Sequence, residues 1–259
     1  ALVVGGVELD DLPDPEAAAA AIDAARFVVS LEVRESAVTE RADVVLPVAA
    51  VAEKAGTFIT WEGRHRPFGT VLETPNALTD TRVLAGIAEE LGAGLAFRTV
   101  ERAGAELAEI GPWDGDAASP PTVPAGNVPA PGDGEVLLDM WRLMVDDGRG
   151  QDGDEYYKAT ARRPVLRAAA DTLARAGLGA GDEAVVSTPE GAIALLTEVA
   201  DLPDGVVWVP ANSDGLNVRR VLKAGTGDTV RLDVSGGDTA AAPSADEDEH
   251  SEDASEADA

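Results

Sequence analysis

The stretch "ADVVLPVAAVAEKAGTFITWEGRHRPFG", Ala42 to Gly69, decides how the rest of the chain is read. From Asp43 to Val48 it is a run of branched apolar residues closed by Pro47, the pattern of a strand buried on both faces of a parallel sheet. It then sets Glu53 and Lys54 before Gly56, passes through β-formers and reaches Glu62-Gly63-Arg64, which predicts a hairpin with charges at its turn. Five ionisable side chains (Glu53, Lys54, Glu62, Arg64 and Arg66) therefore stand beside an apolar edge.

Upstream, strand-like and helical stretches alternate. Leu2 to Val4 reads as a strand, Glu16 to Ala25 as an alanine-rich helix, Phe27 to Val33 as a second strand, and Ser36 to Arg41 as a short turn or helix. Downstream, the spacing of Val83, Leu84, Ile87, Ala88 and Leu91 predicts a helix over Asp80 to Leu91 closed by Gly92, and Val100 to Ile110 predicts another. Such alternation predicts a parallel α/β layer covered by helices.

Prolines at 112, 120, 121, 124, 129 and 131 then mark a strap with little apolar surface to bury. Beyond it, apolar spacing resumes over Glu135 to Val145, and a helix is expected from Arg163 to Ala176. Short strands follow at Glu183 to Ser187, Ala192 to Val199, Val206 to Pro210 and Thr229 to Val234, with glycine-containing turns between them, which predicts a small β-barrel. The expected organisation is an α/β domain over 1–112, a linker over 113–134, a barrel over 135–236 and a disordered acidic tail over 237–259.

The formal net charge is -28, and the nine acids from Asp238 to Asp258 lie in the tail without a lysine or arginine. So acidic a surface repels phosphate backbones and anionic headgroups, which argues against nucleic acid and direct membrane insertion. The chain has no cysteine, so it offers no disulfide, thiolate zinc site or iron–sulfur ligand. Its two histidines lie in the tail (His250) and between two arginines (His65), a poor place for a bound cation. The glycines of "AGLGAGDEAVV", Ala176 to Val186, follow a helix and open a strand, the reverse of a dinucleotide loop. The pairs Asp10-Asp11 and Asp146-Asp147 read as solvated loop charges. No G-x-S-x-G elbow is present.

The order "TERADVVLPVAAVAEKAGTFITWEGRHRPF" resembles the pattern of the molybdopterin oxidoreductase superfamily: Ala-Asp-Val-Val-Leu-Pro, then Glu-Lys, Gly-Thr-Phe and Glu-Gly-Arg. "AADTLARAGLGAGDEAVVSTPEGAIALLTEVADLPDGVVWVPAN" resembles the superfamily's C-terminal dinucleotide-binding barrel. The fold so implied is α/β: a partial parallel layer of molybdopterin oxidoreductase type followed by a small β-barrel of the molybdopterin dinucleotide-binding type. Gly56, Thr57, Glu62, Arg64, Asn212 and Asn217 would line a vestigial pterin cleft. Thr60 stands where pterin-binding relatives often have asparagine.

The strap, short barrel and acidic tail look most like the family of G subunits of NADH-quinone oxidoreductases, respiratory complex I. That resemblance implies the C-terminal scaffold part of an iron–sulfur subunit that supports electron transfer from NADH to quinone. It implies clusters in N-terminal domains upstream of Ala1 and no redox centre or metal in this segment, and it disfavours a molybdopterin here without excluding one. The partners implied are other subunits of the peripheral arm, on the cytoplasmic side of the bacterial plasma membrane. Glu62 and Arg64 are expected to fix a partly buried hairpin against the barrel. The alternative implied is the C-terminal part of a catalytic molybdopterin enzyme of the formate dehydrogenase or nitrate reductase type.

Overall fold

The computed structural model describes residues 1–74, 77–116, 118–122 and 130–236. Contacts divide the chain into two compact units, Ala1–Asn127 and Val128–Ala259. The expected acidic tail lies outside the described residues, as does part of the expected linker.

The first unit is built on three parallel strands, β1 (Leu2–Gly5), β2 (Val28–Glu32) and β3 (Val44–Pro47), in the order β1-β2-β3. Val28 stands beside Leu2, and Val29 beside Val44. Helix α1 (Pro15–Asp23) starts one residue before the expected Glu16 and ends two before Ala25; Asp14 accepts the Ala17 N–H at 2.9 Å and Pro15 occupies a position that needs no donor. Successive residues of a strand face opposite sides, so β2 supplies two cores. Val28 packs with Leu9, Ile22 and Val38 on one side; Leu31 packs with Val48 and Val83 on the other. Val83 belongs to helix α2 (Asp80–Glu90), which Thr79 caps and Gly92 follows at φ +72.

The expectation of strands buried on both faces holds for β2 alone. Four of its five residues are buried, whereas β1 and β3 are mostly exposed, with Val3 at 54% and Val45 at 42%. The two cores bury β2 but only half-bury the outer strands, Val4 of β1 beside one and Leu46 of β3 beside the other. Helix α3 (Val100–Ile110) runs over the expected residues but buries none of its side chains.

Strands β4 (Gly56–Ile59) and β5 (His65–Phe68) form the expected antiparallel hairpin, with Phe58 opposite Arg66. Gly63 takes φ +81 at its turn. Gly56 faces Phe68 across the ladder, and a β-carbon there would lie 2.8 Å from the Phe68 ring. Phe68 stacks in turn on Phe58 at 4.7 Å between ring centroids.

The second unit is a closed barrel of six strands: β6 (Glu135–Trp141), β7 (Val165–Ala168), β8 (Glu183–Ser187), β9 (Ala192–Val199), β10 (Val206–Pro210) and, last in the chain, β13 (Thr229–Val234). Their order is β10-β6-β13-β8-β9-β7, with β10 closing onto β7. Two neighbouring pairs run parallel, β6 with β10 and β7 with β9; the rest are antiparallel. Alternate residues point inward: Val136, Leu138 and Met140; Leu166 and Ala168; Ala184 and Val186; Ile193 and Leu195; Val207 and Val209; Val230 and Leu232. Leu173 of α5 (Ala170–Arg175) belongs to the same core. So does Leu222 of α6 (Val218–Leu222), whose chain passes so near Gly191 that a β-carbon there would lie 2.3 Å from the Val221 carbonyl oxygen.

The helix expected over Arg163 to Ala176 is therefore corrected. Its first part is strand β7, and only Ala170–Arg175 is helical. Pro164 and Val165 disfavour helix, and β7 supplies the pairings with β9 and β10 without which the barrel has open edges.

Candidate functional site

Gly56 and Thr57 lie in β4, and Glu62 and Arg64 lie at the hairpin turn. The turn closes on Thr60, which accepts the Gly63 N–H through its carbonyl at 2.8 Å and the Arg64 N–H through its hydroxyl at 3.2 Å. Arg64 reaches Glu62 at 3.4 Å, and both are exposed, their side chains at 62% and 38%. Trp61 beside them is 94% exposed. The pair is thus exposed at the turn rather than partly buried, because a tight turn directs its side chains to solvent.

Glu53 is held from two sides. It accepts the Ala50 N–H at 2.9 Å and the Thr74 hydroxyl. These bonds, that of Thr74 first, hold its carboxyl below the ordinary range. Lys54 pairs with Asp80 at the start of α2.

Asn212 and Asn217 come together in the second unit. They are cross-strand partners in a short ribbon of β11 (Asn212–Ser213) and β12 (Leu216–Asn217), joined by Asp214 and Gly215, which take φ 55 and 74. Two such positive values make the tight hairpin turn that Asp-Gly favours. Asn217 also caps α6, its amide oxygen accepting the Arg220 N–H at 3.0 Å. The six residues thus serve local structure: Gly56 gives room to Phe68, Glu62 and Arg64 satisfy each other, and Asn217 starts a helix.

A cleft that sequence reasoning passed over lies at the ribbon. It is about 390 Å³ and is lined by Asp146, Asp147, Lys158, Arg162, Arg163 and Ser213, among others. Asp146 is buried, against the expectation of a solvated charge run. It accepts Arg142 Nε at 2.7 Å and the Gly148 N–H at 2.8 Å. Asp147 accepts the Gly215 N–H at 2.7 Å and holds Lys158 Nζ at 3.1 Å, tying the ribbon to α4 (Glu155–Lys158). Ser213 is buried, and its hydroxyl has no partner among the described residues. The Asp-Gly turn was the one local signal for this site. The pairing of Asp147 with Gly215 spans 68 residues and leaves no local trace. Among the described residues no three acids or histidines are grouped so as to hold a metal ion.

No protein-family model matches the chain. Curated relatives match nearly all of it. The G subunit of the NADH-quinone oxidoreductase of Mycobacterium tuberculosis is 48% identical over 237 residues, which are 90% of this chain and 29% of that protein. Its counterpart in Streptomyces coelicolor is 46% identical over 237 residues, 90% of this chain and 28% of that protein. This chain is homologous to the C-terminal part of the G subunit of NADH-quinone oxidoreductase. It spans under a third of the length of those two relatives. A solved structure, acetylene hydratase from Pelobacter acetylenicus, covers 76% of this chain with 34% of its own, at TM-score 0.51 and 18% identity, a likeness of fold alone. Homology to the G subunit thus attaches to a chain with mixed α/β content and a closed six-stranded barrel. Among the described residues no helix is long and apolar enough to cross a membrane.

Proposed function

We propose that this chain acts as a scaffold within the G subunit of NADH-quinone oxidoreductase, supporting electron transfer from NADH to quinone while carrying no redox centre itself. The 48% identity to a G subunit over 90% of the chain carries this reading. The absence of cysteine supports it, since iron–sulfur clusters need thiolates and would be held by other parts of the protein. The local roles of the hairpin turn and of the Asn212–Asn217 ribbon, each within its own unit, support it too. Molybdopterin therefore has no role in the proposal. Its partners are the other subunits of the peripheral arm, on the cytoplasmic side of the bacterial plasma membrane.

Elemental analysis of the intact protein in its purified complex tests this. Iron without molybdenum is expected, and stoichiometric molybdenum overturns the scaffold reading in favour of a catalytic pterin enzyme.

A further inference from the structure

We propose that the cleft between the β6–β7 connection and the β11–β12 ribbon binds a phosphate group, free or as a monoester. This goes beyond the scaffold role and stands without it.

The first observation is Ser213. It is 3% exposed, it lines the cleft, and its hydroxyl bonds to no described residue. Buried hydroxyls in folded proteins are almost always satisfied, so an orphan just behind the lining of a cleft marks a bond that an entering ligand oxygen would complete as the side chain turns toward it. The second observation is Arg162 and Arg163. Acids outnumber bases 48 to 20 in this chain, yet these consecutive arginines on the same cleft are exposed and pair with no acid among the described residues. Surface arginines in so acidic a chain would be expected to find carboxylates.

The third observation is that the cleft is built rather than incidental. Asp147 fixes Lys158 with one carboxylate oxygen and the ribbon turn with the other. Asp146 is engaged by Arg142 and the Gly148 N–H, so it does not present a bare charge to an incoming anion. Two arginines, one lysine and one serine thus line one volume.

That donor set selects the ligand class. Guanidinium forks match pairs of phosphate oxygens bidentately, and a tetrahedral dianion offers oxygens to several donors at once, which a planar carboxylate does not. A volume of about 390 Å³ leaves room for an organic group on the phosphate. Asp214, exposed at the same cleft, is an acceptor for a hydroxyl of that group.

The test is calorimetric titration of the chain with inorganic phosphate and with AMP, at about 150 mM salt to screen the long-range repulsion of so acidic a chain. Saturable one-to-one binding is expected. AMP binding more tightly than phosphate assigns an esterified ligand, and equal affinities assign the free ion. Replacing both arginines (Arg162→Gln with Arg163→Gln) is expected to weaken binding about tenfold or more, since each removes charge-assisted hydrogen bonds. Ser213→Ala is expected to weaken binding several-fold while leaving the melting temperature of the ligand-free chain unchanged or raised. That opposition of sign separates a ligand contact from a structural hydroxyl. Arg175→Gln, which alters an exposed arginine paired with Asp204, is expected to leave affinity unchanged. Absence of saturable binding overturns the proposal. So does an affinity indifferent to both the Ser213 and the arginine replacements.

Discussion

Arg142 Nε donates to Asp146 Oδ2 at 2.7 Å across one loop, with the arginine half exposed and the aspartate side chain at 2%. The carboxylate is the buried member, and its other oxygen accepts the Gly148 N–H. A β-carbon at residue 148 would lie 2.1 Å from an Arg142 guanidinium nitrogen, so glycine is what lets this bridge close. Removing the acid leaves a guanidinium and a buried N–H short of an acceptor. Asp146→Ala is expected to cost about 2–3 kcal/mol, below the range for a fully buried pair because Arg142 can turn to water. Urea denaturation measures it, and a loss near zero would mean that the loop rearranges freely.

The hairpin turn gives the opposite expectation. Glu62 and Arg64 pair in solvent, and exposed pairs contribute little, so Arg64→Ala is expected to cost about 1 kcal/mol or less. A larger loss in thermal denaturation would show that a partner covers the turn.

Glycine replacements separate close approach from backbone freedom. At Gly191 a β-carbon meets the Val221 carbonyl, a backbone atom that cannot swing aside, and Gly191→Ala is expected to destabilise by about 2 kcal/mol or more. Gly86, inside α2 with open space around it, is the contrast: Gly86→Ala is expected to stabilise by about 0.5–1 kcal/mol, the ordinary preference for alanine in a helix. Melting temperatures of the two variants should move in opposite directions.

Glu53 provides a pH signature. Bonds from Thr74 and from the Ala50 N–H depress its carboxyl below the ordinary 4.5. A depressed folded value contributes stability that is fully present above 4.5 and is lost as pH falls through the folded value. The stability gap between the native chain and Glu53→Gln is therefore expected to be constant near neutrality and to narrow below pH 4.5. A gap independent of pH down to acid unfolding would sink this account.

Much of this was legible in the residues. The helix over Val100–Ile110 matches its expected bounds, and the strands β8, β9, β10 and β13 fall where period-two apolar spacing and glycine turns put them. The hairpin followed from β-formers on either side of Glu62-Gly63. The failures are of one kind. Val165–Ala168 spans four residues beside a helix, too short for a period to declare itself, and Asp146 looked like any loop acid.

What the sequence determined by itself was therefore whatever depends on neighbours along the chain: caps at Asp14, Thr79 and Thr99, turns at Gly63 and Asp214-Gly215, and the two-residue rhythm of the longer barrel strands. Tertiary structure decided burial and pairing. β7 is a strand because β9 and β10 arrive from some thirty to forty residues away to bond it, and Asp147 finds Gly215 across 68. Local propensity acts within a few residues, whereas exclusion of water depends on which distant surfaces meet, and that was set only when the barrel closed.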